Sequence, residues 1–173
     1  MEKIGSKEPA PASGSACGAV VAAAAALVEK SARLSAKHWD GAARAQERAH
    51  ALRLEGFELI EEDSQAYLAF VHAVRSQVDV ATMHARTVDV PFRMTRAAAE
   101  VAELAVQLAQ HGNPHLRADA VVAAILAAAA AESGLTLIEV NVSDAPDDHR
   151  LAAAAKLARQ ASELARSVRH PAS

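Results

Sequence analysis

The amino-acid sequence predicts an all-α protein, an antiparallel bundle of five to six helices. Three observations carry that expectation. Of 173 residues, 51% are hydrophobic but only 3% are aromatic, and alanine makes up much of the rest in runs such as Ala22–Ala26, Ala97–Ala99, Ala127–Ala131 and Ala152–Ala155. Alanine has the highest helix propensity and lets helix axes approach closely. Strand-like alternation is almost absent, and glycine, proline and cap residues divide the chain into helix-length pieces.

Taken in order, residues 1–13 are polar and rich in Pro, Ser and Gly, and are expected to form a flexible N-terminal segment. A single helical domain should then occupy residues 14–170, long enough for a real core. The first helix is expected from about Ser15 to Lys37, with a break at His38-Trp39-Asp40-Gly41. A long second helix should reach about Ser76, with a possible kink near Gly56. Its stripe Ala49, Leu52, Gly56, Ile60, Asp63, Tyr67, Phe70, Val74 steps by threes and fours, which puts Asp63 on an apolar face. Gln77 to Asp89 reads as a polar or mixed connection that can be partly helical, and Asp89 as the cap of a third helix with Pro91 in its first turn, ending near His111.

The Gly112-Asn113-Pro114 junction is the clearest stop and start in the chain. Gly112 fits a C-cap, Asn113 an N-cap, and Pro114 the first helical position, where its missing N–H costs nothing. In the helix that follows, expected to about Ser133, Asp119 falls in line with Leu116, Ala123 and Leu126. A carboxylate on such a face is expensive without a partner, so Asp63 and Asp119 both call for a structural or a functional reason. Gly134 interrupts, and Leu135–Val142 fits either a short extended piece or a helical turn. Ser143-Asp144-Ala145-Pro146 should cap a last helix from Asp147 to about Val168.

Several function classes find no support. The net charge is −3, without the basic footprint of a nucleic-acid partner. Cys17 is the only cysteine, which rules out an intramolecular disulfide and suits a reducing, cytoplasmic setting. The apolar run Ala16–Val28 is short for a membrane span, and the acidic Glu2 and Glu8 before it do not suit a secretory signal. Glu47 and His50 match the spacing of di-iron bundles, but such sites need that motif twice, so no metal is expected. No phosphate loop, dinucleotide fingerprint or nucleophile elbow occurs. Trp39 reads as a packing anchor and Ser15 as a helix cap.

Four segments together resemble the cyclodeaminase/cyclohydrolase family, the helical domain of formimidoyltransferase-cyclodeaminase and small bacterial methenyltetrahydrofolate cyclohydrolases. Pro11-Ala12-Ser13-Gly14-Ser15 is similar to the family's Pro-Gly-Gly-Gly-Ser opening. Asp63-Ser64-Gln65-Ala66-Tyr67 resembles its Asp-x-x-Ala-Phe/Tyr motif, and Val90-Pro91-Phe92 its Val-Pro-Leu helix start. Gly112-Asn113-Pro114 with Ala118-Asp119 and Val121–Ala124 resembles its Gly-Asn-Pro…Ser-Asp…Val-Ala-Ala segment. The resemblance covers roughly residues 9–145. It departs at Ala12 and Ser13, which replace glycines, at Ala118, and in a shortened segment between Tyr67 and Pro91 that lacks the family's Lys-Leu-Pro-Lys stretch.

The resemblance implies a cyclodeaminase-like helical homodimer and a tetrahydrofolate derivative as substrate, with no prosthetic group. It implies acid/base chemistry at the methenyl or formimidoyl bridge, as cyclohydrolase or cyclodeaminase. By that resemblance Asp63 matches the catalytic carboxylate of the family, Asp119 a supporting one, and Gly14, Ser15, Gly112 and Asn113 the substrate pocket. The departures leave a second reading open: a relative with another substrate, or a dimeric helical binding protein without catalysis.

Overall fold

A computed structural model describes residues 3–142 and 147–169, so the cap expected at Ser143–Pro146 lies outside the described residues. Five α-helices follow one another: α1 (Ser13–Arg33), α2 (Ala42–Ser76), α3 (Val80–His111), α4 (Arg117–Asn141) and α5 (His149–Arg169). A 3-10 turn, Pro114–Leu116, leads into α4. α3 lies against all four other helices, and α1 packs on α2, α3 and α4.

Cross-links between helices set the directions. Ser15 meets Ile60 and Glu29 meets Arg53, so α1 and α2 are antiparallel. Phe70 meets His84 and Arg48 meets Glu100, so α2 and α3 are antiparallel too. Asn141 meets Thr87, and Cys17 meets Ala130, which runs α4 against both α3 and α1. One end of the bundle therefore gathers the start of α1, the second half of α2, the start of α3 and the end of α4. The core is mostly alanine with Val21, Val28, Leu52, Leu59, Met94 and Val101, all fully buried.

Glycine makes the tightest crossing possible. Gly56 lies against α1, where a Cβ would stand 2.8 Å from the Ala22 backbone nitrogen. From Gly56 onward the buried stripe of α2 follows Leu59, Ala66 and Ala73. Tyr67 and Val74, expected on that stripe, are exposed instead.

Two boundaries differ from expectation for identifiable reasons. α3 starts at Val80, nine residues before the expected cap, and encloses Pro91. A proline there removes the N–H that would bond the carbonyl four residues earlier. That carbonyl belongs to Thr87, and the Asn141 side-chain amide supplies the missing donor at 2.6 Å. Only Gln77–Asp79 separates α2 from α3, with Gln77 and Asp79 both left-handed (φ 57° and 54°). The second difference is α4, which continues through Gly134 to Asn141, so Leu135–Val142 is not extended. At Gly134 the absence of a side chain admits Thr95 and brings the Pro91 carbonyl to 3.1 Å from where a Cβ would be.

α1 and the Pro114–Asn141 segment are long and apolar enough to cross a membrane by length and composition. Both pack within the bundle, although α4 leaves Val122, Ile125 and Val140 exposed. At the start of α5, Arg150 donates to Asp148 and Asp89 and to the Ala85 carbonyl, tying α5 to α3. Its guanidinium holds the Asp148 carboxyl down at about 2.

Candidate active site

Asp63 sits on α2 against the first turn of α1. The N-cap position of that helix is Ala12, whose side chain cannot cap it. Asp63 takes over part of that role from the neighbouring helix by accepting from the Ser15 backbone N–H, and the Ser15 hydroxyl lies 3.4 Å from its Oδ2. The same hydroxyl donates to the Ile60 carbonyl at 2.9 Å and lies 3.0 Å from the Ser64 hydroxyl. Burial raises the Asp63 carboxyl above its ordinary 3.8, and hydrogen bonds from the side chain and backbone of Ser15 offset part of the rise. The positive end of α1 favours the anion whenever it forms. The result is a carboxyl that can hold a proton and release it.

Gly14 is required by this contact. A Cβ at position 14 would collide with the Asp63 carboxylate itself. Ala12 and Ser13, where the resemblance has two further glycines, line the same cavity as Asp63.

A cavity of about 460 Å³ opens over this carboxyl. Asp63, Gly14, Tyr67, Phe70, His84 and Asn141 line it, and Pro9, Ala10 and Ala12 of the N-terminal segment wall one side. Volume and mixed lining suit a small-molecule ligand. His84 Nε2 lies 2.8 Å from the Asn141 carbonyl, and its ring packs against Phe70 with centroids 5.3 Å apart. His84 escaped the sequence reading, which treated residues 77–89 as a connection, and Asn141 was not singled out as a site residue. Pro91 held the available signal: a proline inside a helix leaves a carbonyl in need of a donor, and the donor proved to be Asn141.

The other predicted site residues gather at the opposite end. Asp119 is half-exposed and pairs with Lys30 at 2.7 Å, so its carboxylate has a structural partner. The Asn113 side chain caps the 3-10 turn through the His115 N–H, and its own N–H donates to Ser35 Oγ. Gly112 closes α3 with an extended backbone, not a left-handed one; a Cβ there would lie 2.9 Å from Ser35 Oγ. Fifteen residues of α1 separate Ser15 from Lys30, about 22 Å at 1.5 Å per residue. Within one chain Gly14, Ser15 and Asp63 therefore form one cluster, and Gly112, Asn113 and Asp119 another. Asp63 and Asp119 do not share a cleft in a single chain.

Other candidates resolve into structure. Cys17 donates to the Ala130 carbonyl at 3.3 Å, and burial, aided by the charge of Asp63, pushes its thiol up to about 12. Such a thiol is no nucleophile at neutral pH. His50 meets Glu29, which also accepts from Arg53, and Glu47 takes no part in that cluster. Another cavity, about 770 Å³, lies beside Trp39 and Arg48. Its Arg48 makes a two-pronged pair with Glu100 at 2.5 and 2.7 Å, which leaves those charges satisfied.

The comparisons with known proteins agree with this architecture. The fold is similar to the crystal structure of a formiminotetrahydrofolate cyclodeaminase from Thermotoga maritima, with a TM-score of 0.82 and 22% identity. The alignment covers 95% of this chain and 87% of that one. No curated protein matches the chain. The sequence model of the formiminotransferase-cyclodeaminase family matches residues 1–163, and the chain belongs to that family.

Proposed function

We propose that the protein acts on the one-carbon bridge of a reduced folate, as a formimidoyltetrahydrofolate cyclodeaminase or a methenyltetrahydrofolate cyclohydrolase, with Asp63 as proton shuttle. One observation carries the reading: a carboxyl raised by burial stands in a ligand-sized cavity, and Gly14 is retained where any side chain would strike it. Family membership supplies the substrate class.

In cyclodeamination, N10 of the substrate bonds to the formimidoyl carbon and the bond from that carbon to the departing nitrogen breaks. The departing nitrogen gains two protons, the one that N10 gives up as it bonds and one that Asp63 delivers, so that ammonia leaves and the methenyl cation forms. The carboxylate left behind is stabilised by Ser15 and the start of α1. In the hydrolytic direction the same carboxylate takes a proton from water as it adds to the methenyl carbon. Proton transfer of this kind needs no prosthetic group. Gly14 and Ser15 shape the pocket floor.

The exposed residues Val122, Ile125 and Val140 of α4 support a homodimer, because uncovered apolar surface favours self-association. In that assembly Gly112, Asn113 and Asp119 serve at the subunit boundary or support the fold, and a folate is the only small-molecule partner. A cytoplasmic location goes with this reading, without nucleic-acid or membrane partners. Sedimentation equilibrium should give twice the mass of one chain; a monomer at micromolar concentration would remove the dimer from the account. The functional test is turnover of 5-formimidoyl- and methenyltetrahydrofolate followed by methenyl absorbance.

A further inference from the structure

His84 and Asn141 are held by partners that can only accept or whose need is already defined, and this settles which atoms remain free. The Asn141 carbonyl accepts from His84 Nε2, so Nε2 carries a hydrogen and the neutral ring presents Nδ1 as an acceptor. The Thr87 carbonyl accepts from the Asn141 side chain, so the amide nitrogen faces Thr87 and Oδ1 is the other end of the amide. Among the described residues neither Nδ1 of His84 nor Oδ1 of Asn141 has a hydrogen-bond partner. Both residues line the cavity that holds Asp63.

Two residues that each keep an unpaired acceptor thus line the cavity near Phe70, and the proton-exchanging carboxyl of Asp63 lies elsewhere on its wall. Phe70, which packs on His84, is seven residues from Asp63 on α2, about 10 Å along the axis. A bicyclic heteroaromatic ring with a hydrogen bond of about 2.9 Å at its far edge spans roughly that distance. Tyr67, Phe70, Leu137 and Val140 provide flat and apolar walls for such a ring.

We infer that His84 and Asn141 form the recognition edge for the pterin of the substrate, His84 Nδ1 accepting from its 2-amino group and Asn141 Oδ1 from its ring N3–H. The inference rests on the folate reading above and names the part of the molecule that this end of the pocket selects. His84 is a binding residue here, not a proton carrier. Asn141 has two duties, since its amide nitrogen satisfies the carbonyl freed by Pro91 and its oxygen is left to accept from the ligand.

The test is His84→Gln. A glutamine amide nitrogen reaches the position of the imidazole Nε2 and keeps the bond to the Asn141 carbonyl, but nothing replaces Nδ1. With natural substrate, KM should rise roughly tenfold, the cost of one pterin N–H left unpaired, and kcat should hold within about twofold. With a 2-desamino-2-methyl analogue of the same folate, the difference between wild type and variant should shrink. The melting temperature reports separately on the α3–α4 link. Unchanged KM, an equal penalty on both substrates, or a fall in kcat alone would overturn the recognition edge. Wild-type protein that neither turns over nor binds any reduced folate would overturn the folate reading first, and this inference with it.

Discussion

Asp63→Asn should reduce turnover by roughly 10²–10⁴-fold, the usual contribution of a positioned acid or base, while leaving the fold intact. The amide has the shape of the carboxyl and can still meet Ser15, but it cannot deliver or accept a proton. The stability consequence has a definite sign. The native Asp63 carboxyl lies above its ordinary 3.8 because it is buried. Between that value and its native one, the folded protein holds a proton that the unfolded chain has lost. Stability therefore falls as pH rises through this window, and the cost persists above it. The asparagine variant escapes that cost. Its melting temperature should equal or exceed that of wild type at pH 7, with the gap closing as pH falls to about 4. A variant that melts lower than wild type at pH 7 would show that the carboxylate is stabilising as it stands. Turnover at the wild-type rate would remove Asp63 from the chemistry.

Gly14→Ala should be nearly as damaging to activity and, unlike the first substitution, damaging to the fold. The added methyl falls on the Asp63 carboxylate, so α1 and α2 must part or Asp63 must swing away. Overpacking of this kind costs about 1–3 kcal/mol, against which alanine recovers up to about 1 kcal/mol of helix propensity. Displacing the carboxyl by about 1 Å is enough for a 10²-fold loss of rate. Combining the change with Asp63→Ala isolates the cause. The double variant should regain most of the lost melting temperature, because the colliding group is gone, and should remain inactive. Additive loss of stability in the double variant would place the damage elsewhere than in the Gly14–Asp63 contact.

The legibility of this chain follows physical lines. Helix identity was plain because alanine runs and cap residues act locally. The break before α2 and the Asn113 cap could be read for the same reason. Asp63 was also readable, since an apolar stripe advertises any carboxylate that lies on it. Asp119 shows the limit of that argument. Its stripe runs along the edge of the buried face, and Lys30, 89 residues away in sequence, reaches it from α1. No local pattern contains such a partner. Pro91 misled in the same way: proline marks a helix start unless some distant donor satisfies the carbonyl it frees. Here the donor is Asn141, 54 residues on. His84 and Thr87 lay in the stretch read as a connection, and part of the cavity's polar lining was hidden with them. Gly14, by contrast, could be matched to a motif, but only the packing of α1 on α2 says why that glycine matters.

The most direct measurement is the methenyl absorbance of tetrahydrofolate derivatives incubated with the purified protein. Appearance of the methenyl band and of ammonia from 5-formimidoyltetrahydrofolate, or accelerated loss of the band from methenyltetrahydrofolate, is the predicted result, and Asp63→Asn should abolish it. Absorbance that changes no faster with wild-type protein than without it, on both substrates, would contradict the account.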